Sequence, residues 1–252
     1  MEVHHHPEVE KKGFKEYILE GLMIFLAVMM GFFAESYREH LGEKGKAKEY
    51  VESMISDLKT DTANLKHMIR TTDYSVAGLD SLIILLNAPD RDKHGSDLYY
   101  LARGSTFRFS PFRATERVYN EMRSSGNLRL VNNKDIANNI SKYYYDLENW
   151  KQQNAIIDQL MLNYFNSVSK VFDASVFQKL VNDPRFKFPD LPRPAGNPAL
   201  ASTSKADITE LVGSTHYLYS REKFVSRTAP GLLAQATSVI KMLQKEYDLE
   251  DK

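Results

Sequence analysis

The chain has 252 residues, and its 33 Lys and Arg balance its 33 Asp and Glu, so the formal net charge is zero. A neutral chain does not attract nucleic acid electrostatically, which argues against a protein that works by binding DNA or RNA. The absence of cysteine excludes disulfides, thiolate metal sites and a cysteine nucleophile, and a mean hydropathy of −0.43 excludes a protein with many membrane spans.

An apolar segment at residues 18–34 follows a short polar tail, residues 1–16, and Glu20 is its only charged residue. As a helix it would be about 25 Å long, slightly shorter than a hydrocarbon core of about 30 Å. Tyr17 and Tyr37 extend it as interfacial aromatics, which predicts a transmembrane helix over residues 17–37. A cleaved signal peptide is the alternative, but Phe32 occupies a position where a processing site needs a small residue. The short tail favours an orientation with the N-terminus in the cytoplasm.

Small residues share one face of this predicted helix with the carboxylate. Glu20, Ala27, Gly31 and Ala34 recur at helical spacing, and small residues allow two membrane helices to approach closely. Three roles remain open for Glu20: it reaches back to the lipid headgroups, it pairs with a partner helix, or it conducts protons or ions. The lipid membrane is therefore the first expected partner, and a second copy of the chain or another membrane protein is the next.

The rest of the chain, beginning with residues 38–182, has the periodicity of long amphipathic helices. Past Gly42 and Gly45, an apolar stripe extends from Val51 to Leu86 and ends before Pro89. Ser110 and Pro111 are typical of a helix start. Gly126 is typical of a helix end, with Asn127 in the turn and Leu128 supplying the apolar contact just beyond it.

A third helix is predicted from Ile136 to Val171, capped by Asn132 or Asn133. Five of the nine prolines lie between residues 184 and 198, which predicts a proline-rich connector over residues 183–204. A last helix is expected over residues 205–247, kinked or split at Pro230. The pattern predicts an all-α fold: one N-terminal transmembrane helix followed by an antiparallel helical bundle with long helices. The alternative structure that the same apolar stripes would suit is a longer coiled coil.

Two groups of residues are candidates for ligand chemistry. Cations interleave with aromatics in the stretch that begins at Phe107, and such a surface suits an anionic ligand or acidic headgroups; the residues are Arg108, Arg113, Arg117 and Arg129. The same arginines also suit pairing with neighbouring carboxylates. His4, His5 and His6 are weak candidates for a metal site, since consecutive histidines lack the spacing that aims two rings at one ion. We expect no cofactor, and no catalytic motif is present, so we expect no enzymatic activity.

Three local patterns together resemble an uncharacterised family of bacterial single-pass membrane proteins, usually described as a domain of unknown function. They are the apolar span that opens with Glu20, the charged helix over residues 46–61, and the Ser-Ser-Gly-Asn-Leu-Arg-Leu stretch at residues 124–130. The resemblance covers roughly residues 15–150. It implies a protein of the bacterial inner membrane with a helical domain on the periplasmic side, and it brings no known activity.

Three functions are consistent with these observations. The first is a non-enzymatic envelope protein that acts as a scaffold or accessory subunit, through self-association or a membrane partner. The second is an extracytoplasmic ligand-binding sensor with the arginine and aromatic region as its pocket, which would need a separate output partner because the N-terminal tail is so short. The third is a proton- or ion-conducting subunit that uses Glu20.

Overall fold

A computed structural model describes residues 13–107, 109 and 111–249. Within them all regular secondary structure is helical, and the only β-type pairing is an isolated bridge between Lys187 and Asp190. The helices are α1 (Phe14–Leu86), α2 (Gly95–Phe107), α3 (Arg117–Ser124), α4 (Lys134–Asn154), α5 (Ile157–Val171), α6 (Ala174–Val181) and α7 (Lys205–Glu246). Short 3-10 turns occupy Arg91–Lys93 and Asn127–Leu130. The chain divides into two compact units, residues 1–50 and residues 51–252.

The unit of residues 1–50 contains the N-terminal part of α1, and its apolar side chains are exposed. Large residues such as Leu22, Phe25 and Phe33 expose 51%, 58% and 68% of their surfaces. The helix is long and apolar enough here to cross a membrane, and none of its most apolar window is buried. The unit therefore provides one candidate membrane span.

Helix α1 differs from the prediction at its two middle glycines. The sequence suggested a new element past Gly42 and Gly45, but α1 is one helix of 73 residues. Glycine inside a helix costs about 1 kcal/mol relative to alanine, so it weakens a helix without necessarily ending it. Helix α1 ends at Leu86, as the apolar stripe and Pro89 indicate.

The core of the unit of residues 51–252 lies around α7. This helix packs along α5 and α4, and its buried residues recur every three or four positions, for example Leu211, Leu218 and Val225. The second half of α1 contributes Leu79, Leu82 and Leu86, none of which is accessible to solvent. Burying each such leucine stabilises the fold by about 1.5–3 kcal/mol.

Two predicted helices have other limits in the structure. The predicted helix from Ile136 to Val171 is two helices, α4 and α5, separated by a turn at Ala155. Asn133 does cap α4, accepting hydrogen bonds from the amides of Asp135 and Ile136 at 3.1 and 3.4 Å. The expectation of a helix start at residues 110–111 is wrong, because α3 begins at Arg117.

The C-terminal region contains one helix that the sequence analysis missed and one that continues where a break was considered. Helix α6 begins after Asp173, whose carboxylate accepts a hydrogen bond from the Ser175 amide at 2.8 Å. Helix α7 is capped by Ser204. It continues through Pro230 to Glu246, so the proline does not split it.

Residues 182–204 join α6 to α7 without forming a helix. Residues in the first turns of α2 form hydrogen bonds with this stretch. The Asn197 carboxamide accepts a hydrogen bond from the Gly95 amide at 2.6 Å, and the Tyr99 hydroxyl donates to the Ala199 carbonyl at 3.0 Å. A Cβ at Gly95 would lie 2.1 Å from the carbonyl oxygen of Pro198. Only glycine therefore allows this close approach.

Candidate functional site

A cavity of about 150 Å³ lies where α1, α4 and α7 meet the segment between α2 and α3. Half-buried phenylalanines from that segment, Phe109 and Phe112, form one side, and the exposed Pro111 stands at its edge. The full lining is Met68, Thr72, Phe109, Pro111, Phe112, Trp150, Lys151, Asn154 and Arg221. The cavity thus combines aromatic walls with a cation from each of two helices.

A buried ion pair on α7 adjoins the cavity. Arg221 donates from Nη1 to Glu222 Oε1 at 2.5 Å, and the two side chains expose only 12% and 2% of their surfaces. Burial raises the pKa of Glu222, and this effect is partly offset by the Arg221 charge and by hydrogen bonds from Arg221 and Thr72. The Arg221 guanidinium also lies over the Phe109 ring, 5.6 Å from its centroid. Both interactions hold the arginine at the cavity wall.

Four buried polar atoms in this region have no hydrogen-bond partner among the described residues: Asn154 Oδ1, Arg221 Nε, Ser105 Oγ and Glu222 Oε2. The first two belong to residues that line the cavity, and the other two to residues that line a smaller pocket sharing the Phe109 wall. A buried polar atom without a partner costs about 1–3 kcal/mol. These four atoms therefore lower the stability that this region gains from its packing.

The far wall of the cavity comes from the end of α4. Trp150 is the only tryptophan of the chain. Its ring packs edge-on against that of Phe112, with 6.2 Å between the ring centroids, and its Nε1 donates to Thr228 Oγ1 at 3.0 Å. Asn154 donates from Nδ2 to the Trp150 carbonyl at 2.6 Å. This bond uses the amide nitrogen, and Oδ1 is buried without a hydrogen-bond partner among the described residues.

Two buried carboxylates on α1 fix the start of α3. Asp61, with no exposed surface, accepts from the Thr115 amide at 2.8 Å and from the Tyr143 hydroxyl at 3.4 Å. Asp57 accepts from the Val118 amide at 3.4 Å. Carboxylates are favourable at a helix N-terminus, where the first amides lack partners within the helix. This cluster explains why α3 begins where it does.

The arginines predicted as an anion site do not line this cavity. Arg117 lies 3.6 Å from the Asp57 carboxylate, which is distant in the sequence and is not one of the neighbouring carboxylates expected as partners. Arg113 and Arg129 are exposed, and Arg108 lies outside the described residues. The cations of the cavity are instead Lys151 and Arg221.

The predicted turn residues lie together at the end of α3. Gly126 has φ 70° and ψ 9°, in the left-handed region that favours glycine. Asn127 and Leu128 begin the 3-10 turn that follows, and Leu128 is half-buried. Apart from its two chain neighbours, no described residue has an atom within 4 Å of a Cβ built at Gly126. Glycine is therefore favoured here by the backbone conformation and not by close packing.

The residues predicted for membrane packing lie on α1. Ala27, Gly31 and Ala34 are exposed and Glu20 is half-exposed, and a Cβ built at Gly31 has open space around it within the described part of the chain. His4, His5 and His6 lie outside the described residues. Among residues 13–107, 109 and 111–249, no group of three His, Asp or Glu side chains is placed to hold a metal ion.

No protein-family model matches the chain, and searches of curated proteins and of solved structures give no match.

Proposed function

We propose that the protein is a non-enzymatic, membrane-anchored scaffold or accessory subunit that works by associating with itself or with a membrane partner. The exposed apolar part of α1 carries this proposal. Removing apolar surface from water stabilises a protein by about 25 cal/mol per Å². Apolar side chains that are half or more exposed are therefore expected to be surrounded by lipid or by another protein. The small residues on one face of the span allow a partner helix to approach closely.

The proposed setting is the bacterial inner membrane, crossed once, with the helical domain in the periplasm. The short N-terminal tail supports this orientation, and the resemblance to bacterial single-pass proteins supports the compartment. We further propose that the helices beyond the membrane form an antiparallel bundle, with residues 183–204 as a proline-rich connector. The packing of α7 along both α4 and α5 supports the bundle.

Cross-linking of the full chain in its native membrane tests the assembly. Gly31→Leu places a large side chain where the proposed packing face has none, so it should lower the yield of the cross-linked oligomer or partner complex. Met30→Leu is the matched control, because it changes an apolar side chain on another face of the same helix. A cross-linked yield that Gly31→Leu leaves unchanged would contradict the proposal.

Glu20→Gln separates the roles that were left open for this carboxylate, because it keeps the shape of the side chain and removes its charge. Loss of the cross-linked species would indicate an ion pair between helices. Retained assembly with loss of ion flux across proteoliposomes would replace the scaffold function with proton or ion conduction. Retention of both would leave Glu20 as an interfacial carboxylate and the assembly proposal intact.

A further inference from the structure

We propose that the open groove between α5 and α7 binds an uncharged saccharide. Its volume of about 670 Å³ lies within the range of about 300–1,000 Å³ that small-molecule sites occupy. Amide and hydroxyl side chains line the groove, an exposed tyrosine lies at one end, and the charged residues at the other end pair with each other. This inference goes beyond the assembly function, which uses the apolar part of α1.

One face of each helix forms a wall of the groove. The lining residues recur every three or four positions, a spacing that keeps them on the same side of a helix. They include Asn163, Asn166 and Lys170 on α5, and Glu210, Ser214 and Tyr217 on α7. Two helical turns separate Glu210 from Tyr217, a distance of about 10 Å along the axis. A short saccharide can therefore lie lengthwise between the two helices.

The charges at one end of the groove favour a ligand without charge. Among the described lining residues only Lys170 and Glu210 are charged, and the ammonium donates to both carboxylate oxygens at 2.8 Å. Asp207, one turn before Glu210, attracts the same ammonium and accepts from the hydroxyls of Ser202 and Ser204. An anion would face two carboxylates and one cation that is already engaged, whereas a cation would compete with Lys170 for those carboxylates.

The walls offer donors and acceptors together, which is what a sugar hydroxyl needs because it both donates and accepts. Asn163 Oδ1 accepts from Gln159 Nε2 at 2.9 Å, which leaves the amide nitrogen as a donor. The Ser214 hydroxyl donates to the Leu211 carbonyl at 3.0 Å and keeps its lone pairs as acceptors. The exposed carboxamide of Asn166 adds a donor and an acceptor. These groups can exchange bound water for ligand hydroxyls.

Tyr217 supplies an aromatic platform at the edge of the groove, where it exposes 67% of its surface. The C–H groups on one face of a sugar ring can pack against an aromatic ring, while the phenolic hydroxyl bonds to the polar rim of the sugar. A peptide, in contrast, needs pockets for its apolar side chains or a free strand edge. Among the described lining residues Leu160 is the only aliphatic one larger than glycine, so a saccharide fits better than a peptide.

Gly213 provides a variant that fills the groove without disturbing the fold. It lines the groove, and apart from its chain neighbours and the backbone of its own helix no described atom lies within 4 Å of a Cβ built there. Gly231 on the same helix has equally open surroundings but does not line the groove. Because leucine favours a helix more than glycine does, Gly213→Leu and Gly231→Leu should both fold, and only the first should block a ligand.

Calorimetric titration of the full chain in phosphatidylcholine nanodiscs, which carry no sugar, tests the proposal with glucose, N-acetylglucosamine, maltose and chitobiose. Co-sedimentation with peptidoglycan at high ionic strength, which screens the charges of its peptides, tests a glycan of the cell wall as the source of the sugar. We expect saturable binding in at least one assay, weakened at least tenfold by Gly213→Leu and unchanged by Gly231→Leu. A folded protein that binds neither the four sugars nor peptidoglycan would refute the proposal, as would full affinity in Gly213→Leu.

A second pair of variants tests the aromatic platform. Tyr217→Ala should weaken binding at least tenfold, whereas Tyr145→Ala removes an equally exposed tyrosine from α4 and should leave the affinity unchanged. Wild-type affinity in Tyr217→Ala would contradict the assignment of the ligand to this groove. The titration reads binding in monomers and oligomers alike, so its failure is distinct from a failure of the assembly proposal.

Discussion

Asp61→Ala removes the carboxylate that joins α1 to the start of α3 and to α4. Two donors lose their acceptor: the Thr115 amide at 2.8 Å and the Tyr143 hydroxyl at 3.4 Å. At about 1–3 kcal/mol for each donor left unpaired, the loss is about 2–6 kcal/mol. The burial that raises the pKa of Asp61 shows that the carboxylate is itself costly to bury. Because the substitution also removes this burial cost, it offsets part of the loss, and we expect a net destabilisation of about 2–4 kcal/mol.

Urea unfolding of the detergent-solubilised full chain, followed by the fluorescence of Trp150, measures this loss. Asp61→Asn keeps an oxygen for the Thr115 amide and should cost only about 1–2 kcal/mol. Asp80→Ala, at an exposed position on the same helix, is the matched control and should change the free energy of unfolding by less than about 0.5 kcal/mol. If Asp61→Ala were as mild as the control, the two hydrogen bonds would not stabilise this junction and the reasoning would be wrong.

Three further changes probe other parts of the domain by the same unfolding measurement. Gly126→Ala should cost about 1 kcal/mol from backbone strain alone, since the space around it is open; an unchanged midpoint would contradict the left-handed conformation. Gly78→Ala should cost about 1–3 kcal/mol, because its Cβ would fall 2.2 Å from the Ser105 hydroxyl oxygen. Gly213→Ala has open space on a helix and should instead stabilise by a few tenths to about 1 kcal/mol; equal effects of the two would refute the packing argument. Burial raises the pKa of Glu222 above its unfolded value, so the folded state binds the proton more readily. The resulting stabilisation is complete below the unfolded pKa and is lost as the pH rises through the folded pKa. Glu222→Gln should remove this loss, and an identical pH dependence in both proteins would show that the carboxylate does not titrate as its burial requires.

The helical character of the chain follows from its apolar periodicity, but several boundaries do not. The stripe from Ile136 to Val171 continues with the same spacing across Ala155, so the turn between α4 and α5 leaves no mark on the pattern. The start of α3 depends on Asp57 and Asp61, which lie more than 50 residues earlier in the sequence. A contact of that kind cannot be read from the local pattern at residues 110–117.

The candidate cavity was predicted only in part. The aromatic stretch near Phe109 was singled out, whereas the arginines predicted beside it do not line the cavity, and its cations are Lys151 and Arg221. One signal was present in the sequence: the apolar stripe of α7 passes from Leu218 to Val225, and the core position between them is Glu222. A charged residue in a core position indicates a buried partner, but which one depends on how the helices pack.

The mass of the full chain, solubilised from its native membrane in a mild detergent, tests the central claim of assembly most directly. Light scattering coupled to size-exclusion chromatography gives the protein mass after the detergent contribution is subtracted. One chain weighs 28.9 kDa. We expect a stable species heavier than one chain: at least about twice its mass if several copies associate, or the summed mass of the chain and a membrane partner if one copy does. A single uniform peak at the mass of one chain would contradict it.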